Sequence, residues 1–169
     1  MKYYSILSWV IVLGMSVSAP QKCEKETPKK VTVSPITFDQ FQSMVANVKD
    51  DRLYIYNFWA TWCKPCVAEM PYFEKIQQEY QEQVKLVFVS LDNPKNLEKR
   101  VIPFVREKQI EAPVILINEK SLKAEYINSV NKEWGGAIPA TLFVRKNNKI
   151  FHEGDLDYEQ LKAKIEPLL

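Results

Sequence analysis

The run from Leu53 to Cys66, LYIYNFWATWCKPC, constrains the fold more than any other stretch of the chain. Its first half, Leu53 to Trp59, is short and dense in aromatic and branched residues, which predicts a buried strand. A turn over Ala60–Trp62 follows, and a helix is predicted to open at Cys63 and run to about Glu82. Pro65 suits the first helical turn, where a missing amide hydrogen costs nothing, whereas Pro71 lies inside the helix and should kink it. A strand that hands over to a helix in this way places the first sulfur at a helix N-terminus.

Two cysteines separated by Lys64 and Pro65 could be half of a zinc site, a structural bridge, a redox centre or a chance pair. Structural zinc takes four ligands. The chain has three cysteines and one histidine, His152, and Cys23 stands far from the pair. A structural bridge three residues long closes a very small loop, so it removes little entropy from the unfolded chain. The strand, turn and helix context favours redox chemistry over coincidence. Unpaired amides and the helix dipole at Cys63 would stabilise a thiolate there, and Lys64 adds a nearby positive charge. Cys63 is then the nucleophile. Cys66, one turn further in and shielded, would resolve the mixed disulfide that Cys63 forms.

Composition narrows the alternatives. Over 169 residues, 46% are hydrophobic and 12% aromatic, as in a packed globular protein of one domain. The net charge of +2, from 23 basic and 21 acidic residues, shows no nucleic-acid footprint, and four glycines form no phosphate-binding loop. Ile6–Val17, interrupted by Ser8 and Gly14, is too short for a membrane span and suits the core of a signal peptide, with small residues at Ser16 and Ser18 before a cut. Residues 1–18 are therefore expected to be a signal peptide, 19–34 a charged tether, and 35–169 the folded domain. An uncleaved anchor is the alternative for the N-terminus. Lipid attachment at Cys23 is disfavoured, because Pro20-Gln21-Lys22 lacks the small residues such a site needs.

Along the domain, the apolar periodicity predicts a helix over Thr37–Val48, capped by Thr37. Val84–Leu91 reads as a strand, Asn96–Lys108 as a helix, Val114–Ile117 as a strand and Ser121–Asn131 as a helix. Thr141–Arg145 and Lys149–His152 read as a hairpin turning through Lys146-Asn147-Asn148, where Asn tolerates left-handed geometry. Leu156–Leu169 closes the chain as a helix. Alternation of this kind, ending in a hairpin, predicts an α/β fold with a central mixed sheet covered on both faces.

At this point NFWATWCKPCVAEMP resembles the active site of the thioredoxin superfamily, in its extracytoplasmic TlpA/ResA/CcmG-like branch, over about Thr37–Leu169. The resemblance implies a thioredoxin-like three-layer fold with an inserted strand-helix unit at about Ala112–Asn131. It implies that Pro139, in Gly136-Ala137-Ile138-Pro139, is a cis-proline beside the cysteines that exposes the Ile138 backbone for strand-like pairing with a substrate peptide. Trp62, Lys64 and Pro65 would border the same substrate-binding surface, with Phe58 and Trp59 in the core. Trp134 could shape this groove or simply occupy a loop. The acid that thioredoxins bury in the strand falls on Asn57, which cannot shuttle a proton. Glu69, three residues beyond Cys66, matches an acid this branch places near the cysteines, and burial would raise its pKa into a useful range. Glu74, Glu79 and Glu82 read as solvated, and His152 as structural.

The expected activity is therefore thiol-disulfide exchange in the cell envelope, with reduction of exported proteins favoured over oxidation. Cytochrome c maturation and redox homeostasis are candidate settings. Protein thiols and disulfides would be the substrates, and a membrane or envelope donor the electron source. No cofactor or metal is implied. The alternatives are a non-catalytic binding module on the same scaffold and a peroxiredoxin-like peroxidase. The second is weakened because the peroxidase pattern Pro-x-x-x-Thr-x-x-Cys meets Tyr56 at its proline position, and Thr61 stands one residue too close to Cys63.

Overall fold

The computed structural model describes residues 32–169. The expected signal peptide and the possible lipid site at Cys23 lie outside the described residues. Six strands form one sheet in the order β1-β4-β3-β2-β5-β6. They are β1 (Val33–Ile36), β2 (Leu53–Trp59), β3 (Val84–Ser90), β4 (Val114–Ile117), β5 (Ala140–Arg145) and β6 (Asn148–Glu153). The first four are parallel along the order β1-β4-β3-β2, and β5 and β6 run antiparallel to their neighbours. The mixed sheet and its strand-helix insert match the expected class.

Strand alternation assigns the two faces. On β2, Leu53, Ile55 and Trp59 face one core, while Tyr56 and Phe58 face the other. Val84, Leu86 and Phe88 of β3 continue the first face, with Val87 and Val89 on the second. Helices α2 (Lys64–Glu79), α3 (Ile102–Glu107) and α5 (Tyr158–Ile165) cover the first face through Phe73, Ile76, Val105 and Leu161. The second is covered by α1 (Phe38–Ala46), through Phe38 and Phe41, and by α4 (Ala124–Val130). Thr37 caps α1 in a capping box with Gln40, as its sequence suggests.

The elements differ locally from those expected at four places. Strand β1 begins at Val33, inside the stretch expected to be tether. Its sequence, VSPI, carries Pro35, which an edge strand tolerates but which reads as loop. The helix expected over Asn96–Lys108 is instead a 3-10 turn at Pro94–Asn96, a π turn at Leu97–Val101 and the short α3. Pro103 has no amide to donate and its ring crowds the carbonyl four residues back, and here the backbone takes up a π turn before α3, whereas α2 stays helical through Pro71. Helix α4 starts only at Ala124, and Lys123 at its N-cap makes no side-chain cap. In the hairpin, the left-handed residue is Lys146, at φ 53°, rather than an asparagine.

Strand β4 meets β3 only at Phe88–Ser90, so among the described residues the first half of β3 has no strand beside it on that side. Gln77 of α2 fills the gap with its side-chain amide. It accepts the Leu86 N–H and donates Nε2 to the Val84 carbonyl at 3.2 Å. A Gln77→Ala variant strands both groups in a partly buried place, and should lose about 1–3 kcal/mol of stability. A lowered denaturation midpoint with an unchanged m-value would register that loss.

Candidate active site

Strands β2 and β3 end side by side, with Trp59 opposite Ser90. The turns that leave them meet above the sheet, at the carboxyl ends of parallel strands where sites in α/β folds concentrate. Asp92, buried just beyond β3, accepts the Thr61 N–H at 2.9 Å and the Thr61 hydroxyl at 2.6 Å. The Ser90 hydroxyl donates to the same carboxylate at 3.0 Å. These bonds hold the turn that carries Trp62. The Cys63 amide then closes the turn on the Ala60 carbonyl at 3.0 Å.

Cys63 is the N-cap of α2, and its sulfur stands where a Ser or Asp oxygen usually caps a helix. The Cys66 N–H donates to Cys63 Sγ at 3.3 Å. Lys64 and Pro65 occupy the intervening positions and are exposed. The two sulfurs are joined as a disulfide, with the pair almost wholly buried. Beside them Trp62 projects, 64% exposed, while Phe58 and Trp59 are core residues.

The loop that carries Pro139 closes the other side. The Ile138–Pro139 bond is cis, and Cys63 Sγ lies 3.7 Å from the Ile138 carbonyl oxygen. Among the described residues the Ile138 amide makes no hydrogen bond. Trp134 is buried against Phe58 and Phe151, and its indole N–H donates to the Ala137 carbonyl at 2.9 Å, bracing the loop.

Glu69 lies on the buried side of α2 with Cys66, Met70 and Phe73. It is 2% exposed. Asn57 Nδ2 donates to Glu69 Oε1 at 2.8 Å and to the Thr141 hydroxyl at 3.2 Å, and the Leu156 N–H donates to Glu69 Oε2 at 2.8 Å. Burial raises the Glu69 pKa to about 7, against the two hydrogen bonds, which pull it down; the charge of Asp155 adds to the rise. A carboxyl group poised there can take up or return a proton at neutral pH.

Other readings shift. Glu74 is not a freely solvated glutamate: it is half-buried, and one oxygen accepts the Glu111 and Ala112 amides at 3.0 and 3.1 Å ahead of β4. Glu79 and Glu82 are exposed, with Glu79 accepting from the Tyr158 hydroxyl. His152 sits on β6 opposite Thr141, and burial, reinforced by Lys164, lowers its pKa. Asp92, Thr141 and Leu156 escaped the sequence reading. Only Asp92 carried a signal there, as an acid directly after the strand read at Val84–Leu91.

A profile of the AhpC/TSA family matches residues 39–153. The thioredoxin-like protein YneN of Bacillus subtilis is 43% identical over 127 residues, covering 74% of this chain and 69% of that one. The thiol-disulfide oxidoreductase ResA of Oceanobacillus iheyensis is 36% identical over 110 residues, covering 63% of this chain and 52% of ResA, so the chain spans about half of that relative's length. In fold, a thioredoxin-related protein from Neisseria meningitidis serogroup B superposes with a TM-score of 0.59, at 20% identity, over 72% of this chain and 87% of its own. The profile and the likeness to YneN show that the chain belongs to the AhpC/TSA family, on its thioredoxin-like side, and with the buried cysteine pair at the head of α2 it is similar to the ResA thiol-disulfide oxidoreductases.

Proposed function

We propose that the protein reduces disulfides of exported proteins in the cell envelope by dithiol-disulfide exchange. The observation that carries this reading is the cysteine pair at the N-terminus of α2, flanked by the Ile138 backbone on one side and by a buried carboxyl group of near-neutral pKa on its own helix. In the reduced protein the Cys66 amide and the helix dipole stabilise a Cys63 thiolate. Lys64, being exposed, contributes only a solvent-screened attraction.

The Cys63 thiolate attacks one sulfur of the substrate disulfide, forming a mixed disulfide and releasing the first substrate thiolate. Glu69 then takes the proton of the Cys66 thiol. The Cys66 sulfur attacks Cys63 Sγ, the mixed disulfide breaks, and the second substrate thiolate leaves and is protonated. Two electrons pass from the cysteine pair to the substrate, and the protein is left in the Cys63–Cys66 disulfide form. A membrane or envelope donor would restore the dithiol. Trp62, Pro65, Ile138 and Pro139 border the surface on which the substrate lies. ResA-type relatives support an extracytoplasmic setting, and redox homeostasis or cytochrome c maturation is the task proposed within it.

Replacing Cys66 with Ser should trap mixed disulfides on Cys63 with envelope proteins, seen as thiol-sensitive bands on non-reducing gels. Cys63→Ser should abolish both trapping and insulin reduction. A Cys63→Ser protein that keeps its biological effect would instead favour the non-catalytic binding module.

Glu69 gives a prediction with a definite sign. In the oxidised protein its folded pKa of about 7 exceeds the ordinary 4.5, so between those values the folded state holds a proton that the unfolded state has lost. Stability should therefore fall as pH rises through that window, by up to about 3 kcal/mol. Glu69→Gln should flatten this slope in pH-dependent denaturant melts. The same variant should slow release of the second substrate thiol by about tenfold or more at neutral pH, and lose the rise in rate through pH 7.

A further inference from the structure

The oxidoreductase reading needs the Ile138 backbone held open for a substrate, yet the residues that carry it, from Trp134 to Pro139, belong to no helix or strand. Their shape is set from β6. Glu153, the last residue of that strand, lies across from Ala140. Its carboxylate straddles the loop: Oε2 accepts the Gly135 N–H and Oε1 the Ala137 N–H, both at 3.0 Å. The next residue follows suit, as the Gly154 N–H donates to the Pro139 carbonyl at 2.9 Å.

The loop sequence accommodates this carboxylate. A Cβ at Gly135 would stand 3.2 Å from Glu153 Oε1, so a larger residue would crowd the bond. Gly136 has φ +88°, and a Cβ there would meet Ile127 Cδ1 at 3.0 Å. Both amides that Glu153 engages flank this turn, and Ala137 directly precedes Ile138. One charged group thus binds donors on both sides of the glycine turn, and among the described residues the Ile138 amide and carbonyl take no hydrogen-bond partner, the disulfide-bonded Cys63 sulfur standing 3.7 Å from the carbonyl oxygen.

We propose that Glu153 is a positioning residue that presents the Ile138 backbone for pairing with a substrate polypeptide; this rests on the oxidoreductase reading. Glu153 makes no hydrogen bond to either cysteine or to Glu69. Its loss should therefore weaken recognition of an extended chain and leave the sulfur chemistry intact. Pairing is used in binding, before any bond breaks, so the expected signature is a raised KM with kcat preserved.

The experiment compares full-length wild type, Glu153→Ala and Glu153→Gln, each reduced beforehand, on two disulfides in excess, the limiting single-turnover rate and half-saturating concentration standing for kcat and KM. Insulin offers a polypeptide backbone, and 5,5′-dithiobis(2-nitrobenzoate) offers none. Glu153→Ala should raise KM for insulin by about fivefold or more, with kcat and the rate with the small disulfide within about twofold of wild type. Glu153→Gln, which keeps one acceptor oxygen, should lie between. An unchanged insulin KM in Glu153→Ala would overturn the proposal, as would a parallel fall in the small-disulfide rate, which would mean damage to the cysteines themselves. If Glu153→Ala does not fold, the Gln variant decides alone: a raised insulin KM supports the proposal and an unchanged one overturns it. A wild-type protein that reduces neither disulfide would remove the oxidoreductase reading itself. One that reduces only the small disulfide would overturn the pairing role alone.

Discussion

The carboxyl group of Glu69 is the point at which the structure converges. One oxygen is tied to Asn57 in β2, the other to the Leu156 amide ahead of α5, and Asn57 passes the connection to Thr141 in β5. A helix, two central strands and the C-terminal segment are thereby joined through a single side chain. Burying an unpaired carboxylate would be costly, so the site exists only because these donors are supplied from distant parts of the chain. The same burial moves its pKa to about 7, so that in the proposed reaction the structural tie also serves as the proton carrier.

The sulfur pair depends on a different economy of backbone groups. Cys63 caps a helix whose first free amides have no partner within the helix, and it takes the Cys66 N–H for itself. Asp92 secures the preceding turn through Thr61, and Glu153 secures the facing loop through Gly135 and Ala137. Two carboxylates outside the reaction thus fix the two loops between which the sulfurs lie, while Glu69 lies beneath them on the buried face of α2.

Much of this arrangement was legible in the chain. The run LYIYNFW read as a buried strand and the cysteine pair after it as the opening of a helix, so local pattern favoured the redox centre. Val84–Ser90, Val114–Ile117 and the closing hairpin were equally readable, because strand alternation and turn chemistry act over a few residues. Strand β1 was not, since VSPI becomes a strand only by pairing with β4. The helix expected over Asn96–Lys108 breaks ahead of Pro103, a residue which that expectation passed over.

Among the glutamates of α2, by contrast, periodicity alone does not separate a buried acid from a solvated one. Glu69 was singled out by likeness to relatives, whereas Glu74 was read as solvated although Glu111 and Ala112 engage it. The sequence by itself determined which residues can carry electrons and which element presents them, because thiol chemistry and helix capping are local. Only the tertiary structure decided which carboxylate holds a near-neutral proton and which ones hold the loops. Those roles depend on burial and on amides many residues away along the chain, and neither is written in the neighbours of a glutamate.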